Sequence, residues 1–370
     1  MNDLTSNLDK TYINISLIYL KKILGSSFPN PPVFSILVES NKSFKDNRII
    51  SFGFTSFTGR PHAESNAIEN VKFRKNKIYS LYSTLEPCCH NGRDESCVSK
   101  ILNSKRIDRV IFSLRDPDPR VNGKGKKKLL KNNIHVKSDV LKELGSDFYQ
   151  GYILNRTQRR PKVILKLAMT IDGYISTKKN KRTKITNPLS DAYSDSLRSE
   201  VDAILVGSKT VKIDNCVLKC KSSSFLKNSP IRIILNKKLD LNINSKIFLD
   251  CEEYRTIIFS NVFDKKKLKR YEDKKVEVIS FSKNDFNLKE ILKKLSNLGV
   301  TNLLVEGGGE IFSSFFNQRL FDQVYIFRSN FFSGSNGTKA LEKKTDSSVL
   351  KLFKLETKRF GNDSLEIYKC

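Results

Sequence analysis

"PHAESNAI" at residues 61–68 and "TLEPCCHNGRDESC" at residues 84–97 hold most of the chemistry of the first half of this chain. The protein has three histidines, and the first, His62, stands two residues before Glu64. "HAESNAIENVKF" (62–73) reads as a helix start: Ala63, Ala67, Ile68 and Val71 form an apolar face, with His62 and Glu64 in the first turn. Cys88 follows a strand closed by Pro87, and Cys97 opens the next helix. A helix N-terminus favours thiolate, the form that binds metal. One histidine and two cysteines make a three-ligand zinc site with a fourth position left for water. Glu64 is then a proton carrier beside that water and not a ligand. Each element is weak alone, since a His-x-Glu pair is most often chance or a cap, and a single cysteine is usually a small core residue. Their joint order carries the metal reading. Cys89 follows Cys88 directly, so its side chain points elsewhere. His90 competes as a ligand but reads better as a pocket residue, and His135 reads as structural within a strand.

Around these stretches, strand and helix alternate. Residues 8–25 are periodic as a helix. "VFSILVE" (33–39) and "RIISFGFTSF" (48–57) read as a hairpin, and "KIYSLYSTLEP" (77–87) and "RVIFSLRDP" (109–117) as strands. Residues 97–104 and "GKGKKKLLKNN" (123–133) read as helices, and "IHVKSDV" (134–140) as a last strand. This half is α/β. "GYILNRTQRRPK" (151–162) is basic, polar and ended by Pro161, and reads as a linker over 151–161 between a domain at 1–150 and one at 162–370. The second half opens with "KVILKLAMTIDGYIS" (162–176), expected as one long strand. A helix at 188–200 follows, then short apolar strands: "DAILVG", "IRIILN", "YRTIIFS", "KVEVISF", "NLLVEGG" and "QVYIFR". "EIFSSFFNQRL" (310–320) is a helix directly after three glycines, and residues 219–230 read as a loop.

At 370 residues, the chain has room for about two domains. Charged residues are 29% and the formal net charge is +28. Lysine is spread over the whole length without an arginine cluster or an aromatic-interleaved basic stripe, so composition explains the charge better than a nucleic-acid surface does. The excess still favours a phosphorylated small molecule. No apolar run reaches the roughly 18 residues of a membrane span, and the N-terminus does not read as a secretory signal. The expected setting is the cytoplasm, with the seven cysteines as thiols or metal ligands.

"PHAESNAI" with "TLEPCCHNGRDESC" resembles the zinc-dependent deaminases. Nucleic-acid and nucleoside deaminases usually place two residues between their cysteines. Here the second cysteine is Cys97, and the longer gap with "GR" inside resembles the bifunctional deaminase/reductase of riboflavin biosynthesis. "FPNPPVF", "RDPDPRVNGKG" and "LKLAMTIDGYIS" agree, and the likeness covers nearly the entire chain. It implies a cytidine-deaminase-like three-layer domain followed by a dihydrofolate-reductase-like domain, with Zn2+ and NADPH as cofactors and a homodimer. The implied reaction is hydrolytic deamination of a diaminopyrimidinone ribosylamino 5′-phosphate, then reduction of its ribosyl group to ribityl. Neither a nucleic acid nor a membrane is an implied partner.

Carried over by the resemblance, Glu64 protonates the ring nitrogen and then the departing ammonia. Asn30, His90, Arg93, Asp116 and Asp118 match positions near the pocket. Asp118 stands where the family usually has asparagine, and both aspartates, each followed by proline, also read as turn initiators. Lys124 or Lys126 would meet the phosphate, although a solvated lysine is the plainer reading. In the second half, Ala168, Thr210, Asp214 and Gly307, Gly308 and Gly309 match cofactor positions. Lys166, Asp172, Arg198, Leu218 and Glu306 match substrate-side or structural positions, with Arg198 suited to grip the 5′-phosphate through two parallel bonds. Several positions depart from the family: Lys184 and Asn187 beside the "IT" of 185–186, Asn215 and Cys216 after Asp214, and Lys221 for an arginine; the chain has no tryptophan. Lysine does not replace arginine where two parallel bonds are needed. Weakened reduction, or a second domain kept for scaffold and dimer contacts, is the alternative these departures raise. A nucleic-acid base deaminase is the remoter one, motivated by charge and opposed by the cysteine gap.

Overall fold

A computed structural model describes residues 2–57, 59–90, 94–179, 181–221, 229–334, 336–341 and 350–370. The chain divides into two compact units, Met1–Gln158 and Arg159–Cys370.

In the first unit α1 (Asn2–Leu20) precedes β1 (Phe34–Ser40) and β2 (Asn47–Phe54). Then come α2 (Ala63–Ile68), β3 (Ile78–Leu85), α3 (Cys97–Ser104), β4 (Arg109–Leu114), α4 (Lys124–Lys131), β5 (His135–Lys137), α5 (Lys142–Phe148) and α6 (Gln150–Gln158). The sheet runs β2-β1-β3-β4-β5, with β1 antiparallel to β2 and β3, and β3, β4 and β5 parallel. Alternate strand residues point to opposite faces. Leu37, Tyr79, Leu81, Val110 and Phe112 therefore meet Ala67, Val98 and Leu129 of α2, α3 and α4 in one core. Tyr82 and Arg109 point the other way, to Asp9 of α1. That is a three-layer arrangement. Asp9 is buried and also takes Lys137, so its charge is balanced where it ties α1 to the sheet.

The second unit carries β6 (Lys162–Met169), β7 (Tyr174–Ser176), α7 (Pro188–Ser199), β8 (Ala203–Gly207), α8 (Ser208–Asp214), β9 (Ile231–Leu235) and β10 (Thr256–Ser260). It continues with α9 (Lys265–Glu272), β11 (Val276–Ser280), α10 (Leu288–Asn297), β12 (Asn302–Val305), α11 (Gly309–Asn317), β13 (Gln323–Arg328), β14 (Thr338–Lys339), β15 (Phe353–Phe360) and β16 (Asp363–Lys369). Its main sheet runs β11-β10-β9-β8-β12-β6-β13-β16-β15, parallel from β11 to β13 and antiparallel beyond. The short strands β8, β9 and β10 are buried throughout, the pattern of a sheet covered on both faces.

Three expectations are corrected. The stretch read as a linker at 151–161 is helical through Gln158, with Tyr152, Leu154 and Asn155 buried in the first unit. Few of its residues are apolar, which made it look like a connector; the chain turns only at Arg159, whose φ is 53°. The long strand at 162–176 is broken by a turn at 170–173, where Gly173 takes φ 84° and the Thr170 hydroxyl accepts the Tyr174 N–H. The helix that starts at His62 stops at Ile68, short of the Val71 expected on its apolar face, with Asn70 left-handed at φ 60°. Most of the loop at 219–230 (residues 222–228) lies outside the described residues.

Candidate active sites

His62 caps α2 in an extended conformation (φ −76°, ψ 160°), so its ring leaves the helix toward the loop that carries the cysteines. Cys97 is the first residue of α3, whose N-cap Ser96 accepts the Ser99 N–H. The turn between the cysteines is closed by main-chain bonds: Val98 N–H donates to Cys88 O at 3.0 Å, and Cys97 N–H donates to Cys88 Sγ at 3.4 Å. The result brings one ligand atom each from His62, Cys88 and Cys97 within 4.8 Å of one another. His62 Nδ1 lies 3.3 Å from Cys97 Sγ and 3.5 Å from Cys88 Sγ. Glu64 is not one of the converging atoms. It is 3% exposed and accepts from the Cys97 thiol at 3.4 Å.

The electrostatics suit a cation. The hydrogen bond from Cys97 brings the Cys88 thiol down to about 4 against the effect of burial. The same contact, with burial, pushes the Cys97 thiol up. Burial pulls His62 down, but its hydrogen bond to Cys88 and the nearby Glu64 and Cys88 charges together outweigh this and leave it raised. Burial pushes Glu64 up to about 7, with His62 opposing. One imidazole and two sulfurs in this cluster are the donor set that zinc prefers, and three ligands leave one position open.

Near this cluster, the other expected residues separate. His90 Nδ1 is buried with no hydrogen-bond partner among the described residues, which suits a group that faces a ligand. Arg93 lies outside the described residues. Asn30 gives its amide to Gly59 O at 2.7 Å, bracing the loop that leads to His62. Asp116 is buried, accepts from Tyr152 Oη and from Asp118 N–H, and is pushed by burial to about 6. The Asp118 carboxylate is engaged by Arg120 through two bonds (2.9 and 2.7 Å) and by Arg156 at 3.5 Å, so it is not free for a substrate donor. Lys124 and Lys126 point their amines at Pro119 O and Ser138 Oγ. His135 is on β5 and exposed. Glu86, buried between these segments, carried no mark in the sequence beyond its place in front of Pro87-Cys88.

The second unit holds a cleft of about 2310 Å³ at the carboxyl ends of β6, β8, β9 and β12. Ligands of open parallel sheets bind at such ends. Lys166, Ala168, Arg198, Thr210, Asp214, Leu218, Glu306 and the Gly307–Gly309 turn all line it. Gly307 has φ 134°, and a Cβ there would meet Thr210 Oγ1 at 2.9 Å, so the turn needs glycine. The Thr210 hydroxyl accepts the Gly308 N–H at 3.3 Å and holds the turn against α8. Lysines and arginines outnumber carboxylates by more than two to one along the lining. The lining therefore carries a cationic excess, although most of the chain's net charge of +28 lies elsewhere.

Two expected roles change. Asp172 is exposed and does not line the cleft; Thr170 Oγ1 and the N–H groups of Ser333 and Gly334 occupy its carboxylate. Arg198 lines the cleft but its fork is already taken, by Glu306 Oε1 at 3.1 Å and Oε2 at 2.9 Å. Burial pushes Glu306 up, but Arg198 and Lys166 outweigh it and hold Glu306 below the usual carboxylate range. Burial pulls the Lys166 amine down. The departing residues have local jobs. Asn187 caps α7 and donates to Phe360 O, and Asn215 ends α8 in the left-handed region, where asparagine is tolerated. Lys184 pairs with Asp191. Lys221 gives its N–H to Asp195, and Cys216 faces the cleft as a neutral thiol, pushed by burial to about 11.

Fold and sites together define a two-part enzyme, a zinc deaminase unit followed by a parallel-sheet unit with a large cationic cleft. A model of the cytidine and deoxycytidylate deaminase zinc-binding region matches residues 8–114, and one of the RibD C-terminal domain matches residues 161–365. Riboflavin biosynthesis protein RibD of Aquifex aeolicus is 33% identical over 368 residues, covering 98% of each chain. That of Chlamydia trachomatis is 31% identical over 84% of this chain and 81% of its own. The crystal structure of a diaminohydroxyphosphoribosylaminopyrimidine deaminase/5-amino-6-(5-phosphoribosylamino)uracil reductase from Thermotoga maritima is 29% identical, with a TM-score of 0.83 over 99% of each chain. Acinetobacter baumannii RibD shares the fold at 24% identity, with a TM-score of 0.87 over 99% of each chain. The chain belongs to the RibD family. It is a bifunctional deaminase and reductase of riboflavin biosynthesis, with a cytidine-deaminase-like first unit that uses Zn2+ and a dihydrofolate-reductase-like second unit that uses NADPH. Among the described residues, no helix is long and apolar enough to cross a membrane.

Proposed function

We propose that His62, Cys88 and Cys97 hold the zinc ion and that Glu64 carries the proton of the deamination. The observation that supports this most is the buried Glu64 carboxyl, kept near neutrality beside three converging metal donors of which it is not one. Zinc, when bound, supplies the Lewis acidity that brings the ionisation of water toward neutral pH. Glu64 takes one proton of the attacking water and passes it to the ring nitrogen of a diaminopyrimidinone ribosylamino 5′-phosphate; it then takes the second proton from the hydroxyl added to the ring carbon and gives it to the leaving amine as the carbonyl forms and the C–N bond breaks. Water replaces the exocyclic amine, and ammonia leaves. His90, whose buried Nδ1 has no hydrogen-bond partner among the described residues, and Asp116 line the approach.

The deaminated product then enters the cleft of the second unit, where its ribosyl group is reduced to ribityl. The Gly307–Gly309 turn, at the start of α11, receives phosphate of the cofactor. Lys166 and Glu306 face the substrate side, and Arg198 acts through Glu306, fixing that carboxylate in place. Convergence of these residues on one cleft supports an active second unit over a silent one. We also propose a homodimer working in the cytoplasm. Seven free cysteines suit a reducing compartment, and the family likeness carries the dimer. Sedimentation of the purified chain tests the dimer.

The experiment that tests the whole reading is turnover of the pyrimidine substrate with and without NADPH. Ammonia should form in both cases, and ribityl product only with NADPH. Ammonia without any NADPH oxidation would contradict the reductase assignment.

A further inference from the structure

Glu86 is 2% exposed, lies two residues before Cys88, and plays no part in the chemistry above. Burying a carboxylate is costly unless hydrogen bonds replace its water. Here the replacements are three main-chain N–H groups. Asp116 N–H and Gly123 N–H donate to Glu86 Oε2 at 3.3 and 2.9 Å, and Lys126 N–H donates to Oε1 at 3.0 Å. All three come from one segment, 116–126, and from both of its ends. That segment carries Asp116 and Asp118 at its start and the first turn of α4 at its finish.

The segment is also packed against the cysteine turn. A Cβ on Gly125 would run into Pro87 O and come within 3.1 Å of Glu86 Oε1. Cys89 Sγ reaches Arg120 O at 3.7 Å. Glu86 N–H in turn bonds Leu114 O at 2.9 Å, in register with the end of β4. One carboxylate thus links the turn that holds a metal ligand to both ends of the segment that forms the neighbouring wall.

We propose that Glu86 is a positioning residue of the deaminase: it sets the 116–126 segment, and through it Asp116, at the distance from Cys88 that the pyrimidine requires. This rests on the reading of Asp116 as part of the substrate wall. Glu86→Gln keeps the size of the side chain but turns an NH2 toward an N–H, so at least one of the three bonds is lost. The expected result is a rise of about tenfold in KM for the pyrimidine, with kcat changed by less than about threefold. Zinc content and NADPH oxidation on the deaminated intermediate should stay at the level of the unchanged protein. Gly125→Ala pushes the same segment away from Pro87 and Glu86 and should give the same split. In a double-mutant cycle, Glu86→Gln and Asp116→Asn should be non-additive in kcat/KM.

A variant with lowered thermal stability but unchanged KM would reduce Glu86 to a cap of α4 and overturn the proposal. Additive effects of Glu86→Gln and Asp116→Asn would overturn it too. If Asp116→Asn alone leaves KM unchanged while Glu86→Gln raises it, the fault lies in the substrate-wall reading of Asp116.

Discussion

Two buried glutamates sit at the two sites, and their surroundings set them apart. Glu64 lies among two sulfurs and an imidazole, and burial lifts it to about 7. Glu306 is as deeply placed, yet the two-point pair with Arg198, and Lys166 beyond it, outweigh burial and keep it ionised. Burial alone does not assign a role. A carboxyl poised near neutrality can take and give a proton. One locked in an ion pair is a fixed charge that orients what lies near it.

The sharpest way to break this comparison is to remove a metal ligand. Cys97→Ala should abolish ammonia release and zinc binding together, while NADPH oxidation on the deaminated intermediate continues; a fall in both activities would mean the units are not independent. Next in size is Glu306→Gln, which leaves Arg198 buried beside an uncharged amide. Reduction should fall about 100-fold with ammonia release unchanged, measured as two rates on one preparation. A smaller effect is expected from salt. The cationic lining of the second cleft should make kcat/KM of reduction drop about threefold between low and physiological ionic strength, more than that of deamination.

The smallest effect concerns acid. The bond to Arg120 holds Asp118 at about 2, below its usual 3.8. As pH falls, the unfolded chain takes up this proton first. The contribution of Asp118 is therefore complete above about pH 4 and drains away between pH 4 and pH 2, amounting to about 1 kcal/mol once the exposure of Arg120 is allowed for. Asp118→Asn should flatten that part of the stability profile in denaturant titrations at pH 5 and pH 3.

The donor cluster was legible because its three residues, with Glu64 beside them, sit in two short segments that each contain a helix start, in an order that chance seldom gives. The short strands were legible as apolar runs because both faces of the sheets are covered. Glu86 was not, since its three partners are main-chain N–H groups 30 to 40 residues away and no side chain advertises them. The same holds for Arg198. Its partner Glu306 is 108 residues on, so a guanidinium at the cleft looked available for phosphate. Asp172 was set on the substrate side by resemblance alone, while in the fold it sits in the turn after β6, outside the cleft lining, with its carboxylate taken by Thr170, Ser333 and Gly334; α6 was missed because its buried face is only a few residues wide. Asn187 and Asn215 looked like lost chemistry in the sequence, while in the fold they are caps.

The central claim is that Glu64 moves a proton and binds no metal. Glu64→Gln, assayed for ammonia release and zinc content on the same sample, tests it directly. Ammonia release should fall by at least about 10³-fold with zinc fully retained. Loss of zinc from the variant, or ammonia release at the unaltered rate, would contradict the account.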